Sequence, residues 1–119
     1  MSAILIVEDE PFIQMVYTDA IEAEGHKAVS AYNVAEGLSL AGNGIDAAIL
    51  DVRLGDERVF PVAERLQALG VPFLFCSGTP EEMPQSLFAS VPRFRKPCSA
   101  RQVIVQAIEM ANGHSTCGS

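Results

Sequence analysis

At 119 residues, 49% of them hydrophobic, the chain has room for one domain with a real core and none for a second. Its formal net charge of −7 opposes a phosphate backbone, and with no basic patch direct nucleic-acid binding is excluded. No apolar run approaches the roughly 20 residues of a membrane span, and Met1-Ser2-Ala3 lacks the basic start of a secretory signal, so a soluble, cytoplasmic protein with no membrane partner is expected.

The first element, Ala3 to Val7, is a continuous apolar run that ends in Glu8-Asp9-Glu10. Pro11 then suits the first position of a helix that Gly25 closes, with Ile13, Val16, Tyr17 and Ala20 on one face. Lys27 to Ala31 is a second, short strand, with His26 facing solvent at its entry. Asn33, followed three residues later by Glu36, resembles a capping box for a helix that turns Val34 and Leu38 inward and closes at Gly42 and Gly44. Ala47 to Leu50 is the third strand, and it too ends in a carboxylate, Asp51. A helix from about Arg58 to Leu69 follows, burying Val59, Val62, Ala63 and Leu66 and stopping at Gly70.

The fourth strand, in "PFLFC", is too apolar to have a wet face. Thr79-Pro80-Glu81-Glu82 announces a helix N-terminus, but Pro84 removes a hydrogen bond early, so the fourth helix should be shortened or broken. Val91 to Arg95 carries charges at alternate positions, the pattern of an edge strand. Ser99 caps a final helix that faces the sheet with Ile104, Ala107, Ile108 and Ala111. The domain is expected over residues 1–112, with 113–119 as a polar tail. Cys76, Cys98 and Cys117 are odd in number and far apart, fitting neither a disulfide framework nor closely spaced zinc ligands.

Strand and helix alternate five times, with the first, third and fourth strands apolar throughout, which predicts a doubly wound α/β domain: a five-stranded parallel sheet with helices on both faces. In such sheets the site lies at the carboxyl ends of the strands. Those ends supply Glu8 and Asp9, then Asp51, Ser77 and Lys96. Two carboxylates about 4 Å apart repel by about 4 kcal/mol at an effective dielectric near 20, so three acids need compensation. Oxygen-only ligands with no His or Cys nearby point to a hard divalent cation, Mg²⁺, with Glu10 left to solvent and the helix N-terminus. An ion, a lysine and a hydroxyl in one pocket suit a phosphoryl group. The chain has no G-x-x-x-x-G-K-[ST] loop, so the phosphoryl should arrive from a partner or small donor, with Asp51 as nucleophile.

These motifs, the acidic pair Glu8-Asp9, Ile49-Leu50-Asp51, Cys76-Ser77-Gly78 and Lys96-Pro97, make residues 3 to 112 resemble the receiver domain of two-component response regulators. The resemblance implies the flavodoxin-like strand order 2-1-3-4-5. It also implies Mg²⁺ on Glu8, Asp9, Asp51 and the backbone carbonyl of Arg53. A histidine kinase or histidine phosphotransfer protein would donate the phosphoryl group to Asp51, Lys96 would pair with it, and Ser77 would move toward it. The chain would then be a phosphoacceptor switch rather than an enzyme, reset by slow self-catalysed hydrolysis and either acting on an unidentified downstream protein or relaying phosphoryl groups between kinases and transfer proteins. "VPFLFCSGT" and "LGDERVFPVAERL" look like the single-domain alphaproteobacterial subgroup named for its FATGUY motif. One departure stands out: relatives commonly carry an aromatic residue three before the lysine, where this chain has Arg93, and strand alternation points Phe94 the other way. A phosphorylation-independent binding module on the same fold is the alternative.

Overall fold

In the computed structural model residues 2–78, 88, 90–96 and 99–117 are described, the side chains of residues 77 and 114–117 excepted. Strands β1 (Ala3–Val7), β2 (Lys27–Ala31), β3 (Ala47–Asp51), β6 (Phe73–Ser77) and β7 (Arg93–Arg95) form one sheet in the order β2-β1-β3-β6-β7. Every pairing in it is parallel. Between β3 and β6 the chain makes a small antiparallel hairpin, β4 (Arg53–Leu54) with β5 (Glu57–Arg58). Setting that hairpin aside, the order is the expected 2-1-3-4-5, with β7 at an edge.

The apolar strands are covered on both faces, and alternation sends successive residues to opposite cores. Leu5, Val7, Ala48, Leu50, Phe73 and Phe75 pack with Ala41 of helix α2 (Val34–Ala41) and with Val62, Ala63 and Leu66 of helix α3 (Phe60–Leu69). Ile4, Ile6, Ile49, Leu74 and Cys76 pack instead with Tyr17 and Ile21 of helix α1 (Pro11–Ala23) and with Val103, Ile104 and Ala107 of helix α4 (Ala100–Cys117). The aromatic side of the first core is a cluster of Phe60, Phe73, Phe75 and Phe88, with Phe75 and Phe88 centroids 5.4 Å apart and edge-on.

The helix ends follow the local chemistry closely. Asn33 accepts the Glu36 N–H at 2.8 Å, and the Glu36 carboxylate accepts the N–H of Tyr32 at 2.7 Å, one residue earlier than a standard capping box. Gly70 closes α3 in the left-handed conformation, at φ 74°.

Five expectations change, the first in α2, where Leu38 is exposed and Gly37 and Ala41 are the buried positions. Helix α3 starts at Phe60 rather than Arg58, because residues 57 and 58 are taken by the hairpin, whose Gly55-Asp56 turn is a recognised two-residue hairpin signal. The last helix continues to Cys117, past the expected boundary at 112, since a lone Gly113 weakens a helix without stopping it. His26 does not simply face solvent: its Nδ1 accepts the Ser2 N–H at 3.1 Å. The buried face of α1 is Gln14, Tyr17 and Ile21, with Ile13, Val16 and Ala20 only half-buried. The shortened helix expected from Thr79, with Pro84, lies outside the described residues, as do Pro97 and Cys98.

Candidate functional site

The acids stand where two neighbouring strands end. Strand β1 pairs with β2 as far as Val7 and Ala31, and the Glu8 N–H adds one more bond to the Ala31 carbonyl at 3.0 Å. Three residues later Pro11, which has no N–H to offer, starts α1. The turn therefore holds Glu8 inward, 2% exposed, while Asp9 and Glu10 are exposed. Strand β3 ends at Asp51, itself only 7% exposed, and the next residue is pinned from two sides: the Val52 N–H donates to Cys76 at 3.2 Å and its carbonyl accepts from Val59 at 3.0 Å. Strand β7 ends at Arg95 and delivers Lys96.

These residues meet. The Lys96 ammonium lies 3.2 Å from Asp51 Oδ2 and 3.4 Å from Glu8 Oε1. One carboxylate oxygen from each of Glu8, Asp9 and Asp51 lies within 4.8 Å of the other two. Of the remaining expected site residues, Arg53 begins β4 two positions after Asp51, and Ser77 closes β6 opposite Arg95, its side chain outside the described residues.

The electrostatics resolve the crowding of acids at the end of β1. Burial pushes the Glu8 carboxyl up from its ordinary 4.5 to about 8, helped by a hydrogen bond to Asp51 and by that group's charge. The Glu10 N–H, 3.1 Å from Glu8 Oε2, and the Lys96 ammonium oppose the shift without cancelling it. Burial alone would favour neutral Lys96, but Asp51 and Glu8 outweigh it and hold the ammonium above its ordinary pKa. At neutral pH the buried Glu8 thus holds its proton beside Asp51, while the half-buried Lys96 keeps its positive charge.

The donor set fits a hard divalent cation. Ligand oxygens about 2.1 Å from Mg²⁺ stand at most about 4.2 Å apart, so three oxygens already within 4.8 Å need only a small movement to enclose one. The ion would also replace the Glu8 proton as the charge that balances the acids.

Sequence reasoning passed over Gln14. It is 1% exposed and donates through Nε2 to the carbonyls of Ile6 (2.8 Å), Ala31 (2.8 Å) and Glu8 (3.2 Å), directly behind the acids. Its signal was present: 14, 17 and 21 share one helical face, and only the polar character of glutamine hid the first of them. Arg93 sits as alternation predicted, its guanidinium donating to the Phe88 carbonyl at 3.3 Å while Phe94 packs into the other core.

No protein-family model and no curated protein matches the chain. Among solved structures it is similar to SdrG from Sphingomonas melonis Fr1, at 38% identity and TM-score 0.75, covering 94% of this chain and 97% of that one. A CheY-like response regulator receiver domain protein from Methanospirillum hungatei JF-1 aligns at 25% identity and TM-score 0.83, covering 97% of both chains. The receiver domain of the PhyR response regulator from Erythrobacter litoralis aligns at 24% identity and TM-score 0.76, covering 93% of this chain and 89% of that one. With that likeness over nearly the whole chain and the sheet order β2-β1-β3-β6-β7, the chain belongs to the receiver domains of two-component response regulators.

Proposed function

We propose that the chain is a phosphoacceptor switch of two-component signalling, taking a phosphoryl group onto Asp51 from a histidine kinase or a histidine phosphotransfer protein in the cytoplasm. The observation that carries this is the meeting of Lys96 with Glu8 and Asp51 across three strand ends, at 3.4 and 3.2 Å. Glu8 and Asp9, with Asp51 and the backbone carbonyl of Arg53, would hold Mg²⁺. When bound, the ion supplies positive charge against the phosphoryl oxygens.

The chain's own residues do the rest. A carboxylate oxygen of Asp51 attacks phosphorus, an O–P bond forms, and the donor's N–P bond breaks with its electron pair leaving on the imidazole. Lys96, 3.2 Å from Asp51 Oδ2, pairs with the charge that arrives, and Ser77 donates a hydrogen bond to it. Water attacking the acyl phosphate returns inorganic phosphate and free Asp51, which makes the state a timed signal rather than a permanent mark. In the FATGUY subgroup reading, that signal is passed by contact with a downstream protein.

Intact mass after acetyl phosphate and Mg²⁺, for wild type and Asp51→Asn, tests this. One phosphoryl mass gained by wild type alone is expected, and no gain under conditions that label an active receiver overturns it. The second reading, a module that binds its partner without phosphorylation, draws on Arg93, whose bond to the Phe88 carbonyl occupies the place of the usual aromatic residue. Equal partner affinity in wild type and Asp51→Asn would favour it.

A further inference from the structure

The side chain of Gln14 reaches back from the first turn of α1 to the point where β1 and β2 stop pairing. There its Nε2 gathers three main-chain carbonyls, of Ile6, Ala31 and Glu8, at 2.8, 2.8 and 3.2 Å. Three acceptors around one nitrogen settle which way the amide points, because the reverse orientation would set Oε1 against all three. In this orientation Oε1 is buried with no hydrogen-bond partner among the described residues. A desolvated, unpaired acceptor weakens a fold, so the residue is a poor choice for stability alone.

What the amide does secure is the peptide of Glu8. Its N–H ends on the Ala31 carbonyl and its C=O on Gln14, and that same Ala31 carbonyl is a second Gln14 acceptor. Glu8 and Asp9 leave the sheet through a passage of three residues, and the far end, Glu10, is tied to the same helical turn by the Gln14 N–H at 3.0 Å. We infer that Gln14 is a positioning residue of the acid site: it touches no ligand, but fixes the backbone from which Glu8 and Asp9 present their carboxylates to a divalent cation. This rests on the function proposed above.

The test is the Mg²⁺ dissociation constant by calorimetry for wild type, Gln14→Met and Ile21→Val. Methionine keeps the length and volume of the side chain without its donors, and Ile21→Val loosens the same helix without touching the amide. Loss of a supporting group behind metal ligands commonly weakens affinity by roughly 10- to 100-fold. That rise is expected in Gln14→Met, with cooperative unfolding retained and Ile21→Val unchanged. An unchanged constant in folded Gln14→Met, or an equal rise in Ile21→Val, overturns the inference. Absence of Mg²⁺ binding in wild type overturns the functional reading and this inference with it. Should Gln14→Met not fold, hydrogen exchange of the side-chain amide in wild type decides. Exchange slower than at exposed Gln67 and Gln102, and slowed further by Mg²⁺, supports positioning; exchange insensitive to Mg²⁺ refutes it.

Discussion

Replacing Glu8 by glutamine should flatten the pH dependence of stability in the metal-free protein. The carboxyl titrates near 4.5 in the unfolded chain and at about 8 in the fold, chiefly because it is buried. A proton held more tightly by the fold stabilises it, so this contribution is fully present below the unfolded value and is lost as pH rises through the folded one. Each pH unit between 5 and 8 removes up to roughly 1.4 kcal/mol, a ceiling of about 4 kcal/mol over the interval. Lys96, also raised, loses its contribution only at alkaline pH, outside this window. Glutamine keeps an N–H donor toward Asp51 but has nothing to titrate. Urea unfolding at pH 5, 6, 7 and 8 with a chelator present, for wild type and Glu8→Gln, measures the difference directly. Wild type should lose stability relative to the variant as pH rises, and excess Mg²⁺ should restore it at pH 8 by binding the fold alone. Parallel pH profiles would refute the assignment of the proton to Glu8.

Two further variants probe the scaffold. A Cβ on Gly37 would stand 2.9 Å from Cγ2 of the fully buried Val62 and 3.5 Å from Cγ2 of Val7, so α2 and α3 pack as closely as they do because residue 37 has no side chain. Overpacking of about 1–3 kcal/mol against a helix-propensity gain of roughly 1 kcal/mol should make Gly37→Ala destabilising by about 1 kcal/mol. In a Val62→Ala background the same substitution should stabilise, and a double-mutant cycle without that change of sign would contradict the packing argument. Asn33→Ala should cost about 1 kcal/mol, because the N–H of Glu36 loses its acceptor, and a thermal melt indistinguishable from wild type would count against the cap.

Much of the molecule is legible from local chemistry. Apolar runs too short for helices, glycines at helix exits, Asn33 with Glu36, and acids placed where each run stops all act within a few residues, and they determine the order of elements and which side chains stand at the strand ends. The family resemblance adds the strand order, which local signals do not contain. The tertiary structure alone decided three things. Glu8 and Asp9 are neighbours of the same chemical type, yet only Glu8 is enclosed, and its proton follows from that burial rather than from its sequence neighbours. Gln14 reads as a polar interruption of an apolar face until β1 and β2 place three carbonyls around it. Gly37 reads as a weak helix position until α3 packs Val62 against it. In each case the deciding term is desolvation or close contact with atoms distant in the chain, which residue type and spacing do not encode and the packed sheet does.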